Sequence, residues 1–149
     1  MRIDKLTNQL QSALADAQSI AVGNDHSAME PLHLLLALLN QQGGSVRPIL
    51  NRAGYDVVGL QAELNSQLDK LAKISAYTNV SGIPAESLDK MARLGAAIDT
   101  WSTENQIDAT AIQCWTSLEE FYGVVPCTIM SMLSDSLKSS ACETDVAGT

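Results

Sequence analysis

Apolar residues in this chain return every three or four positions, and no long stretch alternates every second one. Leu6, Leu10, Ala13, Leu14, Ala17, Ile20 and Ala21 form the first such series. Steps of three and four set those side chains along one stripe of an α-helix, about five turns long. Asp4 is placed to cap its start, and Gly23-Asn24-Asp25 supplies residues that tolerate a left-handed exit. The same spacing recurs along the chain, so the pattern predicts an all-α fold of about seven to eight helices with no strand.

Glu30-Pro31 opens the second helix, because a proline in the first turn loses no hydrogen bond there. From Leu32 to Leu39 the segment is apolar almost all round, which predicts the central buried helix of its half. Gly43-Gly44 ends it. Ser45 then caps a short helix through Val46, Ile49 and Leu50, which stops at Gly54. Asp56 caps a fourth, with Val57, Leu60, Leu64, Leu68 and Leu71 on one face. Residues 75–82 are polar and read as a linker. A fifth helix begins at Pro84 and carries Leu88, Met91, Ala92, Gly95 and Ile98. Asp108 is placed to cap a sixth, holding Ile112, Trp115 and Leu118 with Phe121 and Tyr122 near its end. Pro126 opens a seventh with Ile129, Met130 and Leu133.

The layout repeats at a period of about 77 residues, pairing Leu14 with Met91 and Ala15 with Ala92. The expected organisation is one domain, 1–149: repeat one 1–74, a linker 75–83, repeat two 84–138 and a frayed tail 139–149. The second copy is degenerate. Gln106, Asp108, Gln113, Thr116 and Ser117 crowd what should be its buried helix. Burying such groups unpaired costs about 1–3 kcal/mol each.

Composition narrows the function. Nine Lys+Arg against 17 Asp+Glu leave a net charge of −8. That balance argues against the electrostatic binding of a nucleic-acid backbone, which needs clustered cations, and equally against an anionic membrane surface. The strongly apolar stretch at 34–39 is too short to span a bilayer, and the first residues lack a signal peptide's apolar core. Cys114, Cys127 and Cys142 are an odd count without a C-x-x-C spacing, and read as reduced thiols of a cytoplasmic protein.

No Gly-x-x-x-x-Gly-Lys-Ser/Thr occurs, so the chain carries no ATPase site and calls for no cofactor. His26 and His33 are seven apart with Pro31 between them. They read as a solvated loop residue and a partly buried packing residue, not as metal ligands. Cys114 could pair with His33 as a nucleophile, but a small apolar filler on the sixth helix is the simpler reading. Trp101, Trp115, Phe121 and Tyr122 could line an apolar groove. Core packing explains Trp115 and Phe121 at least as well.

Four segments appear in order: Arg2-Ile-Asp-Lys-Leu-Thr-Asn8, Ala13-Leu-Ala-Asp-Ala-Gln-Ser19, Glu30-Pro-Leu-His-Leu-Leu-Leu-Ala-Leu-Leu39 and Gln42-Gly-Gly-Ser45. With them the chain resembles the N-terminal domain of the Clp ATPases, most of all those of the ClpB type. The motifs are specific over residues 1–71; later the resemblance rests on helix layout, on Pro84 to Leu88 and on Glu104-Asn105-Gln106-Ile107. It implies two pseudo-symmetric four-helix repeats with an apolar groove between them. It also implies a non-catalytic module that engages unfolded or aggregated protein segments for an ATP-driven hexameric disaggregase of the stress response. By that resemblance Thr7, Glu104 and Thr110 are substrate-handling positions, with Leu88 and Ile112 in the groove. Glu104 stands where the family has an Asp, and Thr110 where it has a Glu, so one carboxylate is missing. Two alternatives remain open: a stand-alone adaptor or regulator built on the same repeats, and the N domain of a secretion-linked Clp ATPase.

Overall fold

A computed structural model describes residues 5–26 and 28–142 of the chain. It separates into two units, Met1–Ala72 and Lys73–Thr149.

In the first unit, helix α1 (Asn8–Gly23) turns Ala13, Ala17 and Ala21 inward at four-residue spacing. These short side chains allow close packing on α2 (Pro31–Asn40). Leu32, Leu36 and Leu39 of α2 meet Val57, Leu64 and Leu68 of α4 (Val57–Tyr77) in the core, bordered by Ile20 and by Val46 and Leu50 of α3 (Val46–Arg52). Burying a Leu or Val side chain contributes about 1.5–3 kcal/mol, so this cluster dominates the stability of the unit. Two turns between helices rest on left-handed glycines, Gly43 at φ 69° and Gly54 at φ 85°, as their sequence positions imply. Gln61 of α4 ties the surface together: its amide donates to Asn40 Oδ1 at 2.6 Å, and its carbonyl accepts from Arg47.

The ends of α1 and α4 show which capping signals operate. Thr7 caps α1, its Oγ1 accepting from the Leu10 N–H at 3.3 Å. Asp4, expected in that role, lies outside the described residues. Asp56 caps α4 as expected, with Oδ1 accepting from the N–H groups of Val58 (3.1 Å) and Gly59 (3.0 Å). Helix α4 continues to Tyr77, so the stretch expected to be a linker from residue 75 begins as helix.

In the second unit, α5 (Ala85–Glu104) buries Ala92, Gly95, Ala96 and Ser102 and carries the ion pairs Glu86–Lys90 and Asp89–Arg93 along its length. The expected sixth helix is absent. Ala109–Ile112 instead forms strand β1, followed by a π-helical turn, Ser117–Tyr122. Helix α6 (Cys127–Asp135) buries Ile129, Met130 and Leu133 as expected, and the chain then forms β2 (Ser139–Cys142). The strands pair in parallel, Ala109 with Ser139 through Ile112 with Cys142, and α6 packs on β2. Residues 139–142 of the expected frayed tail are therefore ordered in a ladder; 143–149 lie outside the described residues. The fold is mostly helical, with this small sheet as the departure.

Two local causes explain the departure. The segment 106–117 has too few apolar positions to fill a buried helix, whereas the β-branched Thr110 and Ile112 suit a strand. Each strand is also entered through a left-handed residue just after a helix: Gln106 (φ 54°) after α5 and Leu137 (φ 63°) after α6. Such a residue ends a helix and turns the chain sharply away. Neither is a glycine, so the composition carries no sign of them.

Candidate functional site

Thr7 is exposed in the first unit, and its hydroxyl is engaged at the α1 N-terminus. The other positions named by resemblance belong to the second unit. Leu88 is half-buried on α5, and Glu104 is the exposed last residue of that helix. Thr110 and Ile112 lie on β1, not on a helix, and are half-buried. The Thr110 hydroxyl donates across the ladder to Ser140 Oγ at 2.9 Å. This cross-strand pair gives the hydroxyl a structural partner within the ladder. Glu104, Thr110 and Ile112 are close in sequence, linked by the turn in which the Ile107 N–H donates to the Ser102 carbonyl at 2.9 Å.

The aromatic residues are distributed differently from the core-packing expectation. Trp115 is 65% exposed and Phe121 85%, and Trp101 is also largely in water. The correction has a local cause. The π-helical turn holds only six residues, and it is fastened at its last residue, where Tyr122 Oη donates to the Lys90 carbonyl at 2.9 Å. Phe121, one position earlier, faces outward. Leu137, in its left-handed turn, is 95% exposed. Trp101, Trp115, Phe121 and Leu137 are thus among the large apolar side chains that the second unit presents to solvent.

The histidine pair is the polar feature that sequence reasoning missed. His33 is fully buried in the first turn of α2, and its Nδ1 accepts from the Glu30 N–H at 2.8 Å, one half of a capping box. The loop before α2 returns His26 to it, with His26 Nδ1 2.7 Å from His33 Nε2. A backbone N–H can only donate, so His33 carries its proton on Nε2 and donates to His26 Nδ1. That leaves the His26 proton on Nε2, which is buried without a partner. Burial holds both rings below their ordinary pKa; His33 adds to the effect on His26, while Asp25 opposes it, and Glu30 opposes the lowering of His33. The expectation of a solvated His26 is corrected: it is the second ring of a neutral pair. The spacing of seven was visible, but the loop that closes it across Pro31 was not.

Among the described residues, no three His, Cys, Asp or Glu side chains gather to hold a metal ion, and no helix is long and apolar enough to cross a membrane. Cys114 is buried two residues after the end of β1, and its sulfur lies 3.4 Å from that of Cys142 on β2.

Comparison with known proteins gives this geometry a family. The model of the Clp repeat (R) N-terminal domain matches residues 5–106. The chain belongs to the Clp repeat N-terminal domain family. Chaperone protein ClpB of Pseudomonas putida is 53% identical over 97 residues, covering 63% of this chain and 11% of that protein. ClpB of Vibrio cholerae is 47% identical over 75 residues, covering 50% of the chain and 9% of its relative. ClpB of Dichelobacter nodosus is 37% identical over 101 residues, covering 68% and 11%. The chain thus spans about a tenth of the length of the curated relatives it matches. In this member of the Clp repeat family, the match ends at residue 106, just before β1.

Proposed function

We propose that the chain is a non-catalytic protein-binding module, the N-terminal domain of a ClpB-like chaperone, that engages unfolded or aggregated segments for an ATP-driven partner. One observation carries this reading: Trp101, Trp115, Phe121 and Leu137, all of the Lys73–Thr149 unit, leave large apolar groups in water. An unfolded polypeptide offers the complementary surface, since its own apolar side chains have no core. Burial of such groups is non-directional, so one surface serves many sequences weakly. The net charge of −8 disfavours nucleic acid as the ligand. The reading needs no cofactor and places the work in the cytoplasm, where ATP-driven remodelling takes place.

An amide NMR titration of the whole chain with an unfolded, apolar-rich peptide tests this reading. Saturable shifts at Leu88, Glu104, Thr110 and Ile112, together with the indole signals of Trp101 and Trp115, are the expected result. A spectrum that stays fixed up to millimolar peptide refutes client binding.

A second reading, a stand-alone adaptor or regulator, is favoured by the end of the family match where the β1–β2 ladder begins. It predicts tight binding to one folded partner and none to unfolded peptide.

A further inference from the structure

Cys114 and Cys142 are separated by 28 residues in sequence and by 3.4 Å between sulfurs in space, and the fold itself brings them together. Cys142 ends β2, where it is the ladder partner of Ile112; Cys114 follows that same residue by two positions. A disulfide needs its sulfurs about 2.05 Å apart, so side-chain rotation over little more than an ångström suffices, with the strands left in register. The two thiols also differ in access. Cys114 is 3% exposed, whereas Cys142 is half-buried. Cys127, the first residue of α6, is exposed.

We infer that Cys114 and Cys142 form an oxidisable dithiol, which closes to an intramolecular disulfide when the chain meets a peroxide. The asymmetry of access orders the two steps. The Cys142 thiolate attacks one oxygen of hydrogen peroxide; the O–O bond breaks, a sulfenic acid forms on Cys142, and hydroxide leaves and takes up a proton as water. The Cys114 thiolate then attacks the Cys142 sulfur from its buried side. The S–S bond forms, the S–O bond breaks, and a second hydroxide leaves as water with the proton Cys114 released. Two thiols and one peroxide become one disulfide and two waters, with both sulfurs oxidised and both peroxide oxygens reduced. Burial of Cys114 limits solvent access to its sulfur, so the internal thiol, at contact distance, resolves the sulfenic acid before a second peroxide can. Closure links the segment after β1 to the end of β2 and staples the ladder that no other covalent bond holds.

The full chain with Cys127→Ser provides the test, since that position is exposed and its loss leaves the core intact. Treatment with one equivalent of hydrogen peroxide is followed by denaturation, thiol counting and intact mass. The expected result is loss of both remaining thiols, a mass lower by about 2 Da, a 114–142 linked peptide on digestion, and full reversal by dithiothreitol. The thermal midpoint of the oxidised chain rises by about 5–10 °C. In Cys142→Ala with Cys127→Ser, the Cys114 thiol remains countable after the same treatment. Retention of both thiols under conditions that oxidise free dithiothreitol overturns the inference. So does a mass gain from stable sulfinic acid on Cys142, or a dimer linked between chains.

Discussion

His33 Nε2 stands 2.7 Å from His26 Nδ1, and the Glu30 N–H on the far side of the His33 ring leaves no place for an additional proton on either contact nitrogen. Stability of the Met1–Ala72 unit therefore depends on pH. Burial depresses both folded pKa values below the ordinary value of 6.5. As pH falls, the unfolded rings bind protons first. The contribution is fully present above about pH 6.5 and is lost as pH drops through that value towards the lower folded values. Urea unfolding followed on α2 amides between about pH 7.5 and 5.5 should show a falling midpoint. In His26→Ala the fall becomes shallower. An unchanged slope in that variant argues against the pair as its source.

Thr7 has a structural task independent of any ligand. Thr7→Ala removes the Leu10 cap and is expected to cost about 1 kcal/mol, whereas Thr7→Ser keeps the acceptor and costs only a few tenths. If peptide binding tracks the cap, the Ser variant retains it. Binding that is lost in Thr7→Ser while stability holds would instead assign the threonine methyl to the ligand surface.

Gly59 and Asp56 are coupled. A β-carbon on Gly59 would fall 2.5 Å from Asp56 Oδ2, displacing the carboxylate that caps α4. Gly59→Ala gains about 1 kcal/mol of helix propensity and loses about 1 kcal/mol of capping, for a net change near zero. Asp56→Ala alone costs about 1 kcal/mol, and Gly59→Ala added to it recovers most of that loss. Denaturant midpoints of the four chains measure the coupling; strict additivity would refute it.

Ser102 is the reverse of a cap. Its Oγ is buried in α5 and has no hydrogen-bond partner, a state that costs about 1–3 kcal/mol relative to a satisfied hydroxyl. Ser102→Ala is expected to raise the midpoint of the Lys73–Thr149 unit. A drop of 1 kcal/mol or more would show that the hydroxyl does find a partner in solution.

The legible parts of the sequence were those where one local signal and one apolar stripe agree. Pro31 with Leu32, Leu36 and Leu39, Asp56 with Leu64 and Leu68, and Pro126 with Ile129 and Leu133 each gave both the start and the buried face of a helix. After Glu104 the same kind of agreement, Asp108 with Ile112, Trp115 and Leu118, did not yield a helix, and the polar residues around Gln106 and Gln113 were the signal against one. What they could not reveal was the strand, because β1 depends on a partner thirty residues away and on left-handed turns at Gln106 and Leu137. The same limit hid the two paired contacts, His26 with His33 and Cys114 with Cys142. Each is made by a loop or ladder that carries no periodic signal.

The parallel register of Ala109 with Ser139 also sets an order of events during synthesis. The α1–α4 core is complete by Leu68 and can assemble once its own helices have left the ribosome. Strand β1 cannot: its partner is translated thirty residues later, which at about 5–20 residues per second is a wait of roughly two to six seconds. For that interval the backbone groups of Ala109–Ile112 are unpaired, next to a chain already folded on its N-terminal side. The nascent protein is thus most exposed to wrong pairing where its family resemblance ends.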